Sequence, residues 1–160
     1  MIVAYAESLY DIANMDKVVF RYADRRLGLE NKTLIKAFIA TVFKKEKQPL
    51  GSITYVFCSD EFLLRINRDF LQHDYYTDII TFGLSEKGEP VAAEIYISID
   101  RVKDNARSLG ESFKNEICRV IFHGALHLCG YKDKKKSEIA LMRAKEDQYL
   151  RLYQKASANV

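Results

Sequence analysis

The feature that most constrains this chain is a set of potential ligand side chains within residues 121–133. Two of the three histidines, His123 and His127, lie four residues apart, so on a helix they share one face with Cβ atoms about 5–6 Å apart. Gly130 follows, and glycine readily adopts the left-handed conformation that ends a helix and reverses the chain. Asp133 is then carried back over the helix end. The spacing therefore predicts a helix, a tight turn and three converging side chains.

Three converging ligands of this kind are typical of a zinc site. Imidazole nitrogens bind zinc at about 2.0–2.1 Å, and three protein ligands with a fourth position left to water are the mark of a catalytic rather than a structural ion. We therefore predict one Zn²⁺ held by His123, His127 and Asp133. The alternative is a buried helix on which the two histidines donate hydrogen bonds to backbone and bind no metal.

The spacing also resembles that of the metzincin zinc proteases, His-Glu-x-x-His-x-x-Gly-x-x-His. Two positions differ, because Asp133 replaces the last histidine and Gly124 replaces the glutamate that acts as general base. Without an acid directly after His123 to accept a proton from water, peptide hydrolysis is disfavoured. A zinc peptidase that uses Glu94 or Glu138 as its base remains an alternative.

The remaining cysteines and histidine are not expected to bind the metal. Cys129 lies about 200° around a helix from His127, which points it away from the pair and predicts a buried, inert thiol. His73 lies in a polar loop and is expected to be solvated or to face the substrate. Cys58 and Cys118 complete an odd set of three cysteines in apolar settings, which predicts a reducing, cytoplasmic location.

Length and charge narrow the class of protein. A chain of 160 residues is expected to form one domain with a substantial core. A net charge of +3 neither indicates nor excludes nucleic-acid binding, which requires basic residues to cluster. No apolar run approaches the roughly 18 residues needed to cross a bilayer, and the first residues lack the basic and apolar regions of a signal peptide. We expect no membrane association.

Hydrophobic periodicity predicts an α+β fold: a small four-stranded mixed sheet covered by about five helices in a single domain. The domain is expected to span residues 17–155, after a leader at 1–16 and before a fraying tail at 156–160. Asp100, Ser112 and Ser137 are predicted to cap the last three helices. Strands are predicted at 17–23, 52–58, 78–84 and 91–99, and helices at 32–46, from Ser59 or Asp60 to the loop at 72–76, at 100–110, at 112–129 and from 137 onward.

Three separated blocks resemble one protein family, YbeY, the bacterial rRNA maturation factors. Residues 123–131 read His-Gly-Ala-Leu-His-Leu-Cys-Gly-Tyr and match the family signature His-Gly-x-Leu-His-Leu-x-Gly-Tyr. Residues 66–82 contain Ile-Asn-Arg-Asp-Phe and Thr-Asp-Ile-Ile-Thr-Phe, similar to the family block Leu-Asn…Thr-Asp-Val-Leu-Ser-Phe. Residues 94–98 read Glu-Ile-Tyr-Ile-Ser, similar to Gly-Asp-Ile-x-Ile-Ser, with glutamate in the place of aspartate.

The resemblance implies a metal-dependent, single-strand-specific endoribonuclease. It would act in ribosome assembly, including maturation of the 3′ end of the small-subunit rRNA. The expected partners are single-stranded RNA or rRNA and the small ribosomal subunit or assembly factors, with no organic cofactor. By position, His123 and His127 match two zinc ligands of the family, and Asp133 stands where the family usually has a third histidine. A non-catalytic assembly factor with a structural metal is a further alternative.

The resemblance also marks a departure in the expected RNA-binding residues. The family usually has an arginine where this chain has Leu71. Arg65 or Arg68 on the same predicted helix would replace it, and Lys132 and Lys134 lie in a basic run beside the predicted metal site. We therefore expect these four cations to hold backbone phosphates. No catalytic base is assigned from the sequence.

Overall fold

The computed structural model describes residues 10–159, so most of the predicted leader at 1–16 lies outside the described part. A 3-10 helix, Ile12–Lys17, precedes the first strand. The strands are β1 (Val18–Tyr22), β2 (Leu50–Cys58), β3 (Ile79–Gly83) and β4 (Val91–Ser98). The helices are α1 (Lys32–Lys45), α2 (Asp60–Leu71), α3 (Ile99–Leu109), α4 (Phe113–Leu128) and α5 (Lys136–Ala158). No helix in this described part is both long enough and apolar enough to span a bilayer.

The four strands form one mixed sheet in the order β1-β2-β4-β3. β1 pairs parallel with β2, and β2 pairs parallel with β4, so α1 and α2 are needed to return the chain between parallel strands. β3 pairs antiparallel with β4 across the connection that carries Gly88 and Pro90, as the hairpin-like spacing predicts. The predicted four-stranded mixed sheet and α+β class are confirmed.

The sheet separates a large core from a small one, because side chains alternate between its faces. On the large side, Ile53, Tyr55 and Phe57 of β2 and Ile95 and Ile97 of β4 pack under α1, α4 and α5. On the small side, Cys58 and Ile80 pack with Leu63 of α2. Helix α4 therefore packs between the sheet and α5, on the side of the sheet that carries the large core.

Two helix caps differ from the prediction. Ser98, and not Asp100, caps α3, since the Ser98 hydroxyl accepts a 3.1 Å hydrogen bond from the backbone nitrogen of Arg101. Helix α5 begins at Lys136, and Ser137 lies inside its first turn. Ser112 caps α4 as predicted, by accepting from the backbone nitrogen of Asn115. For α3 an acceptor two residues nearer the strand, Ser98, was available, and spacing alone did not distinguish it from Asp100.

The end of α5 also differs from the predicted fraying tail. The helix continues to Ala158, past the boundary expected at residue 155. Ala156 is 2% exposed and belongs to the main core. Burial of this small side chain holds the last turn against the rest of the protein, so residues 156–158 are helical.

Gly124 lets α4 lie close to the sheet. A Cβ atom built at this position would lie 3.0 Å from the Cδ1 atoms of Ile79 and Ile95 and 3.2 Å from Cγ2 of Ile95. Those distances are shorter than ordinary van der Waals contact, so a larger residue would push the helix outward. The absence of a side chain here sets the distance between α4 and the strands.

We expect Gly124→Val to lower the free energy of unfolding by about 1–3 kcal/mol, the usual cost of overpacking a tight core. Equilibrium unfolding in urea measures the change. The matched control is Gly28→Val, because Gly28 is exposed and has no neighbouring atom within 4 Å of a Cβ. The control should change stability by less than about 0.5 kcal/mol. Equal stability of the two variants would contradict the close approach described here.

Candidate metal centre

The structure brings the three predicted ligand side chains together at the C-terminal end of α4. His123 and His127 have ring centroids 4.5 Å apart. Nε2 of His127 lies 3.1 Å and Nε2 of His123 lies 3.4 Å from the same oxygen, Oδ2 of Asp133. One atom from each of the three residues lies within 4.8 Å of the others, and within residues 10–159 this is the one such group of three or more His, Cys, Asp or Glu.

Hydrogen bonds at the opposite nitrogens fix both rings. Nδ1 of His127 donates to the carbonyl oxygen of Tyr131 at 2.9 Å, and Nδ1 of His123 donates to Oε2 of Glu146 at 3.0 Å. With the proton at Nδ1, neutral imidazole presents a lone pair at Nε2. Both lone pairs then face the lone pairs of the Asp133 carboxylate. This repulsion is relieved when a cation lies between them, so the donor set fits a divalent metal ion.

The surroundings of His123 also favour its protonated form. Burial would lower the pKa of His123, but the hydrogen bond to Glu146 and the negative charges of Glu146, Asp133 and Asp78 outweigh it, so the pKa is raised. Glu146 is only 6% exposed. A buried carboxylate on the far nitrogen of a histidine orients the ring and makes its other nitrogen more basic.

A half-buried glutamate directly after α1 fixes the loop that delivers Asp133. Glu46 accepts hydrogen bonds from the hydroxyls of Tyr131 (2.8 Å) and Tyr149 (2.6 Å) and from Nζ of Lys145 (3.2 Å). Burial would raise the pKa of Glu46, but these three donors overcome that effect and lower it. Gly130 makes the preceding bend with a φ of +101°, which favours glycine. The turn predicted from Gly130 is confirmed.

Two clefts meet at His123 and Asp133. The first, here called the inner cavity, has a volume of 410 Å³ and lies between α3, α4 and α5. The second, here called the outer cleft, has a volume of 660 Å³ and runs between α2, β3 and the loop after α4. Asp78 lines both. The outer cleft is lined from its two sides by Asn67, Leu71, His73, Tyr75, Thr77, Thr81, His127 and Lys134, among others.

The structure places two of the four cations expected to hold phosphates beside the candidate metal centre and the other two elsewhere. Lys134 lines the outer cleft, and Lys132 and Lys134 line an adjoining 450 Å³ cleft beside His127. Arg65 and Arg68 do not line either cleft. Arg68 is paired with Asp74. Leu71, at the position of the missing family arginine, does line the outer cleft.

Cys129 packs against the main core but is partly exposed rather than buried as predicted, whereas His73 is exposed, as expected of a polar loop. Burial raises the pKa of the Cys129 thiol to about 12, so it is protonated at neutral pH, and it packs against the main core. A protonated thiol is a poor metal ligand. His73 lies at the outer cleft, and its Nδ1 is 2.9 Å from the hydroxyl oxygen of Tyr75.

The two acids considered as a peptidase base are engaged elsewhere. Glu138 accepts hydrogen bonds from the backbone nitrogens of Lys134 and Lys135, at 3.1 and 3.0 Å, and so caps α5. Glu94 accepts from the hydroxyl of Tyr96 at 2.8 Å, on the strand face turned away from α4. Gly124 faces the sheet, so a larger residue at that position would not reach the metal centre without moving α4.

Sequence reasoning missed several acids near the centre. Glu146 lies in an amphipathic helix and could have been suspected, because buried Met142 and Tyr149 flank it on the same stripe. Glu116 precedes His123 by two helical turns and therefore shares its face. In the sequence, Asp78 was identified only as the first residue of a predicted strand and as part of the block at residues 66–82. Their roles depend on contacts between segments far apart in the sequence.

Comparisons with known proteins identify relatives across most of the chain. The family model described as Endoribonuclease YbeY matches residues 21–154. A protein of Cytophaga hutchinsonii with that name is 50% identical over 137 residues, covering 86% of this chain and 96% of the relative. One from Porphyromonas gingivalis is 43% identical over 140 residues, covering 88% and 92%.

A solved structure supports the same fold. The solution structure of a Thermotoga maritima protein superposes with a TM-score of 0.62 and 27% sequence identity. The superposition covers 84% of this chain and 88% of that one.

We expect Glu46→Gln to lower the free energy of unfolding by about 1–3 kcal/mol at pH 7, because hydrogen bonds to a charged acceptor are lost. The folded-state pKa of Glu46 lies below its ordinary value of 4.5, so its stabilisation is present above that pH and is lost as the pH falls. Urea unfolding from pH 7 to pH 3 should therefore show the two proteins converging in acid.

The control for this prediction is Glu30→Gln. Glu30 is 74% exposed and forms a 3.2 Å ion pair with Lys114, so its loss should cost less than about 1 kcal/mol. A Glu46→Gln effect as small as that of the control would show that Glu46 does not anchor the Tyr131 loop.

Proposed function

The chain belongs to the endoribonuclease YbeY family, and from this premise we propose that it is a metal-dependent, single-strand-specific endoribonuclease acting in rRNA maturation. The observation that carries the proposal is the convergence of His123, His127 and Asp133 beside an open cleft that contains a lysine. We further propose that its RNA is the 3′ region of the small-subunit rRNA and that it meets this RNA in the assembling small subunit.

The proposed cofactor is one Zn²⁺ held by Nε2 of His123, Nε2 of His127 and a carboxylate oxygen of Asp133. The donor set supports zinc, which accepts nitrogen and oxygen ligands together. When bound, such an ion polarises a phosphoryl oxygen and lowers the pKa of a bound water. Glu146 and the Tyr131 carbonyl orient the two imidazoles toward it.

The residues around the outer cleft supply the proposed RNA contacts. Lys134 and Lys132 would hold phosphates next to the metal, and Lys134 takes the place left by Leu71. Tyr75 is 57% exposed and stacked on His73, with centroids 5.1 Å apart. An exposed ring of this kind can stack on an unpaired base, which supports a single-stranded substrate. Arg65 and Arg68 would extend the positive surface beyond the cleft.

Two other functions have less support. A zinc peptidase needs a base near the metal, but Glu138 and Glu94 are engaged in other hydrogen bonds and Gly124 faces the sheet. A metal that serves only structure would be enclosed by a fourth protein ligand. Asp133 is 40% exposed at its side chain and borders two clefts, which favours a reactive centre.

We also propose a reducing, cytoplasmic location. The three cysteines, Cys58, Cys118 and Cys129, are all free thiols. Burial raises the pKa of Cys58 and of Cys118 to about 12, which keeps them protonated and unreactive.

We expect His123→Ala to abolish bound zinc and to reduce cleavage of single-stranded RNA by at least about a thousandfold, because metal activation of water is lost. Elemental analysis of the purified protein and a time course with a labelled RNA oligonucleotide measure the two effects. The metal control is His73→Ala, which removes the histidine outside the ligand group and should retain zinc. Addition of a chelator to the wild type should reproduce the loss of cleavage.

Undiminished cleavage by zinc-free His123→Ala would defeat the proposed catalytic role. Casein hydrolysis that disappears in the same variant would instead favour the peptidase. The assays are repeated with His127→Ala and Asp133→Ala. If the loss of the metal causes the loss of cleavage, all three variants should behave alike. If only the His123 side chain matters, the other two variants should retain cleavage.

We expect Lys134→Ala to weaken RNA binding at every sequence tested and to reduce the slope of log K against log salt concentration by about 0.7, the value for one phosphate on a single strand. Fluorescence anisotropy between low and high salt measures the slope. The control is Lys155→Ala, an exposed lysine near the other end of α5, about 30 Å away along the helix. An unchanged slope for Lys134→Ala would show that Lys134 does not contact an RNA phosphate.

A further inference from the structure

The inner cavity shares its wall with the metal centre. Along one face of α4, Glu116, Val120 and His123 follow one another at helical spacing and all line the cavity. Asp133 lines it as well, so two of the three candidate metal ligands border this space. A group bound in the cavity would therefore lie directly beside the reacting atoms.

The cavity contains a buried carboxylate oxygen without a partner. Glu116 is 4% exposed, and its Oε2 is buried without any hydrogen-bond donor. Burial, together with the charges of Asp78 and Glu146, raises the pKa of Glu116, and the charges of Arg119 and Arg143 oppose this rise. Buried polar atoms are nearly always satisfied, so an orphaned acceptor on a residue that lines a cavity indicates a missing donor.

The charges of the cavity exclude a phosphate. Asp78, Glu116, Asp133 and Glu146 contribute four carboxylates, which outnumber the two lining arginines, Arg119 and Arg143. Nη1 of Arg119 lies 2.7 Å from Asp147 and 3.5 Å from Glu146, although neither contact has the geometry of a hydrogen bond. Arg143 also contacts Glu146 at 3.5 Å. An occupant of this space must bring hydrogen-bond donors rather than negative charge.

A second metal ion is not supported either. Within the described residues, the cavity acids form no group of three whose oxygens converge as those of the centre do. Part of the wall is apolar, with contributions from Leu109, Val120, Ile139 and Met142. The occupant that fits has a flat apolar body and a polar edge rich in N–H donors. Nucleobases have this form, and single-stranded RNA presents them unpaired.

We propose that the inner cavity is a base-specific subsite that takes a guanine from the nucleotide next to the cleaved phosphate, with Glu116 as the specificity-determining residue. This inference rests on the proposed endoribonuclease function. Guanine carries two adjacent donors, N1–H and the N2 amino group, which match the two oxygens of a carboxylate. Its O6 acceptor suits the amide of Asn105 or the guanidinium of Arg143, whose side chain is 51% exposed at the cavity.

The other bases match Glu116 less well. Uracil has one N–H donor on its pairing edge, flanked by two carbonyl oxygens that a carboxylate repels. Adenine and cytosine each offer one amino group beside an acceptor nitrogen. One good bidentate contact gives roughly tenfold or greater discrimination against a base that lacks it. The subsite should therefore favour cleavage beside guanosine.

The test uses oligouridine substrates that contain one guanosine, inosine or adenosine. Wild-type protein should cleave beside guanosine at least about tenfold faster than beside adenosine, with inosine between them because it lacks the N2 amino group. In Glu116→Gln an amide donor replaces one acceptor oxygen, so this preference should disappear while slower cleavage at uridine persists. Glu111→Gln changes an exposed glutamate outside the cavity and should keep the preference.

Leu109→Trp provides a second variant in case Glu116→Gln does not fold. Leu109 is 53% exposed at the rim, so a larger side chain can be accommodated there while blocking the cavity. It should lose the guanosine preference and keep bound zinc. Far-UV circular dichroism confirms the fold of each variant.

A second measurement separates this inference from the proposed function. Isothermal titration with GMP and AMP compares two nucleotides that share the same phosphate. We expect GMP to bind at least about tenfold more tightly than AMP, and we expect Glu116→Gln to lose this difference. That result supports the subsite even if the protein cleaves no RNA. In that case only the nuclease proposal fails. RNA cleavage without base preference, or a preference unchanged in both variants, overturns the subsite and leaves the nuclease proposal intact.

Discussion

The close contact of α4 with the sheet is the constraint on which the rest of the structure depends. Gly124 places the helix backbone against Ile79 and Ile95, where any side chain would meet atoms at 3.0 Å. His123 and His127 lie about 100° and 60° around the helix from Gly124. They therefore lie on the flank of α4 that faces the cleft between β3 and the loop at 130–133. The position of the imidazoles is therefore a consequence of core packing as well as of their spacing.

Two glutamates from distant segments fix the orientation of the side chains that form the candidate centre. Glu46 holds the loop by accepting hydrogen bonds from Tyr131, Tyr149 and Lys145, and the Tyr131 carbonyl in turn fixes His127. Glu146 fixes His123. Because each ring is held at Nδ1, its Nε2 faces the carboxylate of Asp133. The loop, α1 and α5 thus act together on atoms that lie within 4.8 Å of one another.

The same centre borders two spaces of different chemistry. The outer cleft contains Lys134 and the stacked His73 and Tyr75, and it suits a negatively charged, unpaired strand. The inner cavity contains the orphaned oxygen of Glu116 and suits a neutral group that brings donors. A phosphodiester placed at the metal would have its backbone on one side and a base on the other. Affinity and base preference would then depend on separate residues.

By itself the sequence determined the α+β class, the four strands, the metal-site spacing and the turn at Gly130, because each is written in local periodicity or in residues a few positions apart. It did not determine which acids support the histidines. Glu146 lies 23 residues from His123, and Glu46 lies 85 residues from Tyr131, so ordinary helical spacing gives no sign of their roles. Nor did it show that Leu71 and Lys134 line the same cleft while Arg65 and Arg68 do not. Those arrangements arise only when the sheet brings distant segments together, since burial and partner identity are properties of the packed structure and not of neighbouring residues.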